Sequence, residues 1–200
     1  MSKTVIDLIR HGEPVGGRKY RGWGVDDPLT EKGWQQMWDA IGNQVPWKQI
    51  VTSPLLRCKA FAEDLSQKHN IAITVENDLE EVGFGDWEGK TPEEIIERNK
   101  AEFDAFYADP ANNRPTGAED LDVFSDRVVT VYRKIVSLYE SQQSLVVAHA
   151  GVIRAVVAYV LDAPPASIYK LEIGNAGLTR IEINAQGPKL IFLNQARMPD

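Results

Sequence analysis

The chain of 200 residues has a single cysteine, Cys58, so no disulfide forms within it. That usage fits a reducing compartment. No apolar run approaches the roughly 20 residues that a membrane-spanning helix needs. Met1-Ser2-Lys3-Thr4 runs straight into an apolar segment, which leaves no stretch for a secretory leader. The expectation is therefore a cytoplasmic protein with no membrane partner. Basic charge is in deficit. The 22 Lys and Arg are set against 29 Asp and Glu, for a net charge of −7, which argues against nucleic-acid binding carried by bulk charge. An anionic ligand would need a local cluster of cations. No low-complexity tract, internal repeat or composition break is present, so residues 1–200 read as one domain. Histidine is scarce as well, with three in the chain.

Two of those histidines stand at equivalent places. Val5-Ile6-Asp7-Leu8-Ile9 is an apolar run that ends in Arg10-His11-Gly12. Leu145-Val146-Val147-Ala148 ends in His149, with Gly151 close behind. Each reads as a buried strand whose carboxyl end delivers an imidazole into a turn. In open α/β sheets that edge is where ligands bind. The third, His69, closes a helix and reads as a partner for the helix dipole.

The order of elements supports this placement. A strand over Thr4–Ile9 leads into a long glycine-rich loop from Pro14 to Pro28, which carries Arg18, Lys19 and Arg21. A helix opens at Thr30 and turns Trp34, Met37, Trp38 and Ile41 inward. A strand at Gln49–Thr52 precedes a helix capped by Ser53 with Pro54 at its first position. Arg57 falls in that first turn, and Leu56, Ala60, Phe61 and Leu65 form the apolar face. Ile71–Val75 is a strand, and Leu79–Gly89 is an acidic, aromatic loop. Helices follow over Pro92–Ala108, with Ile95, Ile96, Phe103 and Phe106 inward, and over Leu121–Tyr139, with Phe124, Val128, Val131, Ile135 and Leu138 inward. The strand Leu145–Ala148 feeds a helix over Gly151–Leu161. Strands at Leu178–Ile183 and Leu190–Asn194, around a turn at Asn184–Pro188, close the chain. This alternation predicts an α/β fold, a mostly parallel central sheet with helices on both faces.

His11, His149, Arg10, Arg57 and an acidic loop thus converge on one predicted edge. A zinc site using both histidines with Glu13 or Glu81 lacks any HxH, HExxH or CxxC spacing, and the adjacent arginine opposes a metal. A serine or cysteine triad lacks GxSxG, and no histidine is fixed beside Cys58 by sequence. Phosphate chemistry fits best. Arginine forks match phosphate oxygens, helix N-termini offer amide donors, and imidazole is able to attack phosphorus. No metal or organic cofactor is required. Among Glu80, Glu81 and Glu88, composition does not choose a general acid.

The chain also resembles a known family. Leu8-Ile9-Arg10-His11-Gly12-Glu13 is similar to the LxRHGE signature of the histidine phosphatase superfamily, which includes the phosphoglycerate mutases. Ser53-Pro54-Leu55-Leu56-Arg57-Cys58 resembles its SSPLxR segment. Leu79 to Gly89 resembles LREMxFGxWEG, and His149-Ala150-Gly151-Val152-Ile153-Arg154 resembles HGGVIR. The four segments occur in the family's order and span nearly the whole chain. The resemblance implies a three-layer, phosphoglycerate mutase-like fold. It implies His11 as the phosphorylated nucleophile, with Arg10, Arg57 and His149 around the phosphoryl oxygens. Glu81 matches the general-acid position. An acid role requires its protonated form, which burial or a nearby phosphate favours.

Some segments depart from the family pattern. Ala150 stands where Gly is usual. Pro115-Thr116-Gly117-Ala118-Glu119-Asp120 replaces a PxGES-like segment. Pro14 and Gly17 break the mutases' RHGxSxxN pattern. The chain is also short for a phosphoglycerate mutase. Asp26-Asp27-Pro28-Leu29-Thr30-Glu31-Lys32-Gly33 resembles the compact α-ribazole phosphatases of cobalamin assembly. The expectation is a phosphomonoesterase for a small phosphorylated metabolite, α-ribazole 5′-phosphate among the candidates. The alternatives are a phosphoglycerate mutase and an inactive binding module. Arg18 and Arg21 read equally as contacts to a second part of the substrate and as solvated loop charges.

Overall fold

The computed structural model describes residues 3–199. Met1 and Ser2, on which the lack of a leader was partly read, lie outside the described residues. Six strands form one sheet: β1 (Thr4–Arg10), β2 (Gln49–Thr52), β3 (Ala72–Val75), β4 (Gln143–Ala148), β5 (Leu178–Asn184) and β6 (Gly187–Gln195). Their order across the sheet is β3-β2-β4-β1-β5-β6. The first four in that order run parallel, while β5 pairs antiparallel with both β1 and β6. The helices among the described residues are α1 (Glu31–Ile41), α2 (Leu56–His69), α3 (Pro92–Ala108), α4 (Leu121–Leu138) and α5 (Ala150–Val160), of which α1, α2, α4 and α5 pack on the sheet.

The period of the strands builds two cores. Ile6 and Leu8 of β1, with Val146 and Ala148 of β4, face Phe124 and Val128 of α4 and Val152 of α5. Ile9, Leu145 and Val147 point the other way, onto Met37 and Ile41 of α1 and Phe61 and Leu65 of α2. Successive strand side chains alternate faces, so two buried faces need near-continuous apolar runs. Trp34 and Trp38 are half-buried and lie against Phe61, ring centroids 5.8 and 4.9 Å away. A third cluster of Trp87, Ile95 and Phe106 lies outside the sheet.

Local chemistry sets most helix starts. The Thr30 hydroxyl accepts from Gly33 N at 2.9 Å. Thr91 and Glu94 form a reciprocal capping box, with Pro92 at the first helical position. Asp120 accepts from the amides of Asp122 and Val123.

Several expectations need correction. Ser53 does not cap α2, which begins at Leu56, behind Leu55, without a side-chain cap from its own segment. The Leu56 amide is taken instead by Asp26 Oδ1, 2.6 Å away in the first loop. Leu56, Ile96 and Leu138 are exposed rather than inward, Leu138 at 60%, while Ile135 one turn earlier stays in the core. The closing hairpin is tighter than read. Strand β5 extends to Asn184 and β6 starts at Gly187, whose φ of 105° suits only glycine. A 3-10 helix over Pro165–Lys170 and a kink at Asn99 within α3 were not foreseen.

Candidate active site

Strand β4 lies between β1 and β2, in parallel register with β1 that pairs Arg10 with Ala148. The next residue on each strand is a histidine. The two sequence-distant imidazoles therefore leave the sheet side by side, with ring centroids 5.3 Å apart and planes at 63°. Glycine after His11 lets the backbone of α1 come close to this strand end. A Cβ on Gly12 would stand 2.1 Å from the backbone oxygen of Gly33.

His11 is 5% exposed, and its Nδ1 lies 2.7 Å from the carbonyl oxygen of Gly12. A carbonyl only accepts, so Nδ1 carries the proton and the Nε2 lone pair is left free. Burial pushes the His11 pKa well below that of an ordinary imidazole, and the charges of Arg10 and Arg57 push the same way. His149 is fully buried and its Nε2 lies 2.8 Å from Ser53 Oγ. Its pKa is likewise well below the usual value, first through burial and then through Arg57. Burial and the nearby guanidinium charges thus disfavour the charged form of both rings.

The arginines come from two elements. Arg10, the last residue of β1, donates Nη1 to Ile173 O at 2.7 Å, while its buried Nε has no partner. Burial lowers its pKa, an effect that Glu81 opposes and Arg154 reinforces. Arg57 is 1% exposed in the first turn of α2. It donates to Val25 O and Gly22 O, both at 2.9 Å, and so pins the glycine-rich loop beside the histidines. Its Nε is also buried and unpaired. Two guanidinium groups, each with an unpartnered donor, thus stand beside the imidazoles, and arginine donors of this kind suit an oxyanion chemically.

Glu81 reaches the same place from the acidic loop. Its Oε2 accepts from Gly151 N at 3.2 Å, at the N-terminus of α5, and its Oε1 from Val82 N at 3.0 Å. Gly151 permits that approach, because a Cβ there would lie 2.3 Å from Glu81 Oε1. Glu88 is differently employed, accepting from Gly24 N and Phe84 N and holding two loops together. The geometry thus separates Glu81 from Glu88, which composition left equivalent.

Arg10 opens onto a cleft of about 390 Å³, lined also by Glu13, Arg18, Lys19, Arg21 and Asn175. A neighbouring hollow of about 270 Å³ adds Tyr20, Tyr107 and Arg154. Arg18 is exposed on this wall. Arg21 also lines it, but spends its donors on Asp27, Val15 O and Gly17 O, which fold the loop upon itself. Sequence reasoning missed Ser53 as a neighbour of His149, and Arg154 as a cation on this wall, although both lie inside the quoted motifs. Among the described residues, no group of three or more His, Cys, Asp or Glu is placed to hold a metal ion.

A parallel α/β edge bearing two histidines, two arginines and a carboxyl group defines the class: a phosphoglycerate mutase-like fold with these five side chains gathered at one sheet edge. The family model of the histidine phosphatase superfamily (branch 1) matches residues 6–196, and the chain belongs to that superfamily. A bifunctional protein of Mycobacterium tuberculosis is 31% identical over 194 residues, which cover 95% of this chain and 53% of the relative. The chain thus spans about half the length of the first curated relatives it matches. The adenosylcobalamin/alpha-ribazole phosphatase of Salmonella typhimurium is 28% identical over 181 residues, 88% of this chain and 89% of that one. In fold, the alpha-ribazole phosphatase of Shigella flexneri superposes with a TM-score of 0.85 over 98% of both chains at 24% identity. Among the described residues, no helix is long and apolar enough to cross a membrane.

Proposed function

We propose that this chain is a phosphomonoesterase that hydrolyses a small phosphorylated metabolite through a phosphohistidine at His11. One observation carries the reading. The His11 Nε2 lone pair is free on a neutral ring set beside His149, Arg10 and Arg57.

The proposed reaction has two halves. Nε2 of His11 attacks phosphorus in line as the bond to the leaving oxygen breaks. Glu81 gives its proton to that oxygen, and the alcohol departs. Glu81, now a carboxylate, takes a proton from water, and the water oxygen attacks phosphorus. The P–N bond breaks, which releases inorganic phosphate and restores neutral His11. Arg10, Arg57, His149 and the amides at the start of α5 stabilise charge on the equatorial oxygens. No step calls for a metal or an organic cofactor.

The relatives named alpha-ribazole phosphatases make α-ribazole 5′-phosphate the first substrate to test. The deciding experiment is a phosphate-release screen over phosphorylated metabolites, α-ribazole 5′-phosphate and 3-phosphoglycerate included. Release from at least one, lost in His11→Ala, is expected. Isomerisation of 3-phosphoglycerate far faster than phosphate release would replace the phosphatase reading with a mutase.

A further inference from the structure

The loop that carries Glu81 is held from outside the site at several points, Arg114 on Gly83 O among them, and Arg127 takes the carbonyls that lead up to the acid. Arg127, on α4, donates from Nη1 to Asp78 O at 2.7 Å and Glu80 O at 3.0 Å, and from Nη2 to Glu81 O at 3.4 Å. Its Nε and Nη2 also form a two-pronged pair with Glu119, at 2.7 and 2.9 Å. Glu119 then grips the far side of the acid, its Oε2 accepting from Gly83 N and its own amide donating to Gly83 O. The Trp23 ring closes the layer, 5.7 Å from the Arg127 guanidinium. A Cβ on Gly83 would lie 2.8 Å from that ring.

A part-buried ion pair gains little for stability alone, because desolvation offsets attraction. Here the planar fork also does what an apolar side chain is unable to do and a lysine does only in part. It fixes backbone carbonyls at and beside the proposed acid from one rigid group. A general acid must sit within hydrogen-bond reach of the leaving oxygen, and misplacement by about 1 Å costs roughly 10²-fold.

We propose that Arg127, backed by Glu119, is a positioning residue that holds Glu81 at the leaving-group oxygen. It touches neither phosphate nor leaving group. This inference rests on the proposed role of Glu81 as general acid and extends it to the residues that aim it.

The test is a leaving-group series, run from p-nitrophenyl phosphate to a simple alkyl phosphate, on wild type, Glu81→Gln, Arg127→Met and Arg127→Lys. A good leaving group needs little protonation, so a merely structural defect slows all members alike. A misplaced acid slows the alkyl ester far more. Arg127→Met should lose roughly 10²-fold on the alkyl ester with little change on p-nitrophenyl phosphate. Arg127→Lys should recover part of that loss. The double variant with Glu81→Gln should lose little more than Glu81→Gln alone, since both act on one proton transfer. Should Arg127→Met fail to fold, Glu119→Gln carries the same comparison. Equal losses along the series, with Glu81→Gln still selective, would overturn this inference alone. A Glu81→Gln variant with no selectivity would overturn the acid role and this inference with it.

Discussion

His11 and His149 are brought to a ring separation of 5.3 Å by one register choice, the pairing of Arg10 with Ala148 between parallel strands. The residues lie 138 positions apart in the chain (149 minus 11), so neither ring has local reasons to find the other. The hydrogen bonds of β1 and β4 fix the pair. The two rings then differ in what they bond. His11 keeps Nε2 free, whereas the Nε2 of His149 is engaged with Ser53.

That difference predicts unequal roles. His11→Ala should reduce hydrolysis of p-nitrophenyl phosphate by roughly 10⁴-fold or more, as loss of a nucleophile does elsewhere. The midpoint of thermal unfolding should change little by comparison. Turnover near the wild-type rate in a folded His11→Ala protein would remove the nucleophile from the account.

Ser53 supports His149 at 2.8 Å and, more weakly, the Leu55 amide just ahead of α2 at 3.3 Å. Ser53→Ala removes the 2.8 Å partner of a buried imidazole nitrogen and leaves it only the weak thiol of Cys58, 3.6 Å away. An unsatisfied buried polar group costs about 1–3 kcal/mol, so urea unfolding should show a loss in that range. The rate should fall too, through a looser His149. An unchanged unfolding curve would show that the bond is not needed.

Acid should destabilise the fold through the same two rings. Both folded-state pKa values lie well below the ordinary imidazole value of 6.5, with burial the leading cause. As pH falls below about 6.5, the unfolded chain takes up protons there and the folded chain does not. Stability is therefore fully present above that pH and is lost on the way down to the folded-state pKa, by up to about 1.4 kcal/mol per pH unit for each ring. Urea unfolding at pH 7.5, 6.5 and 5.5 checks the slope, and His149→Asn should flatten it. The imidazole of His11 also stays neutral in mild acid, so activity should persist below pH 6.5.

Gly151 is the position where a single methyl group should reach the chemistry without breaking the fold. Its Cβ would meet Glu81 Oε1 at 2.3 Å, the mobile end of a side chain. Gly151→Ala should thus displace the carboxyl at a small cost in stability, under about 1 kcal/mol, since helix propensity favours alanine. Loss should concentrate on poor leaving groups. A variant as active as wild type on an alkyl phosphate would show that Glu81 works from elsewhere.

The fold and the two histidines were legible because they rest on local signals. Apolar runs ending in His and Gly marked strand ends, and the strand–helix alternation set the architecture. Arg57 in the first turn of α2 was placed correctly from Ser-Pro. The same Ser-Pro signal misled on Ser53, because a serine before proline looks like a cap whether its hydroxyl faces a helix or a distant imidazole. Leu138 kept the helical period of α4, yet periodicity is silent on what a side chain in a last turn meets. The grip of Arg127 and Glu119 on the acidic loop was not readable. It depends on backbone carbonyls, which carry no sequence signature, and on packing between α4 and a loop more than 40 residues upstream in the chain.

The central claim, a covalent phosphate on His11, is open to direct measurement. The protein is mixed with a phosphate-labelled substrate, quenched in alkali within the first turnovers and mapped by peptide mass spectrometry. The account predicts label on the peptide containing His11, stable in base, discharged in acid and absent from His11→Ala. Turnover with no label on His11 at any quench time, or equal labelling of the His11→Ala protein, would contradict it.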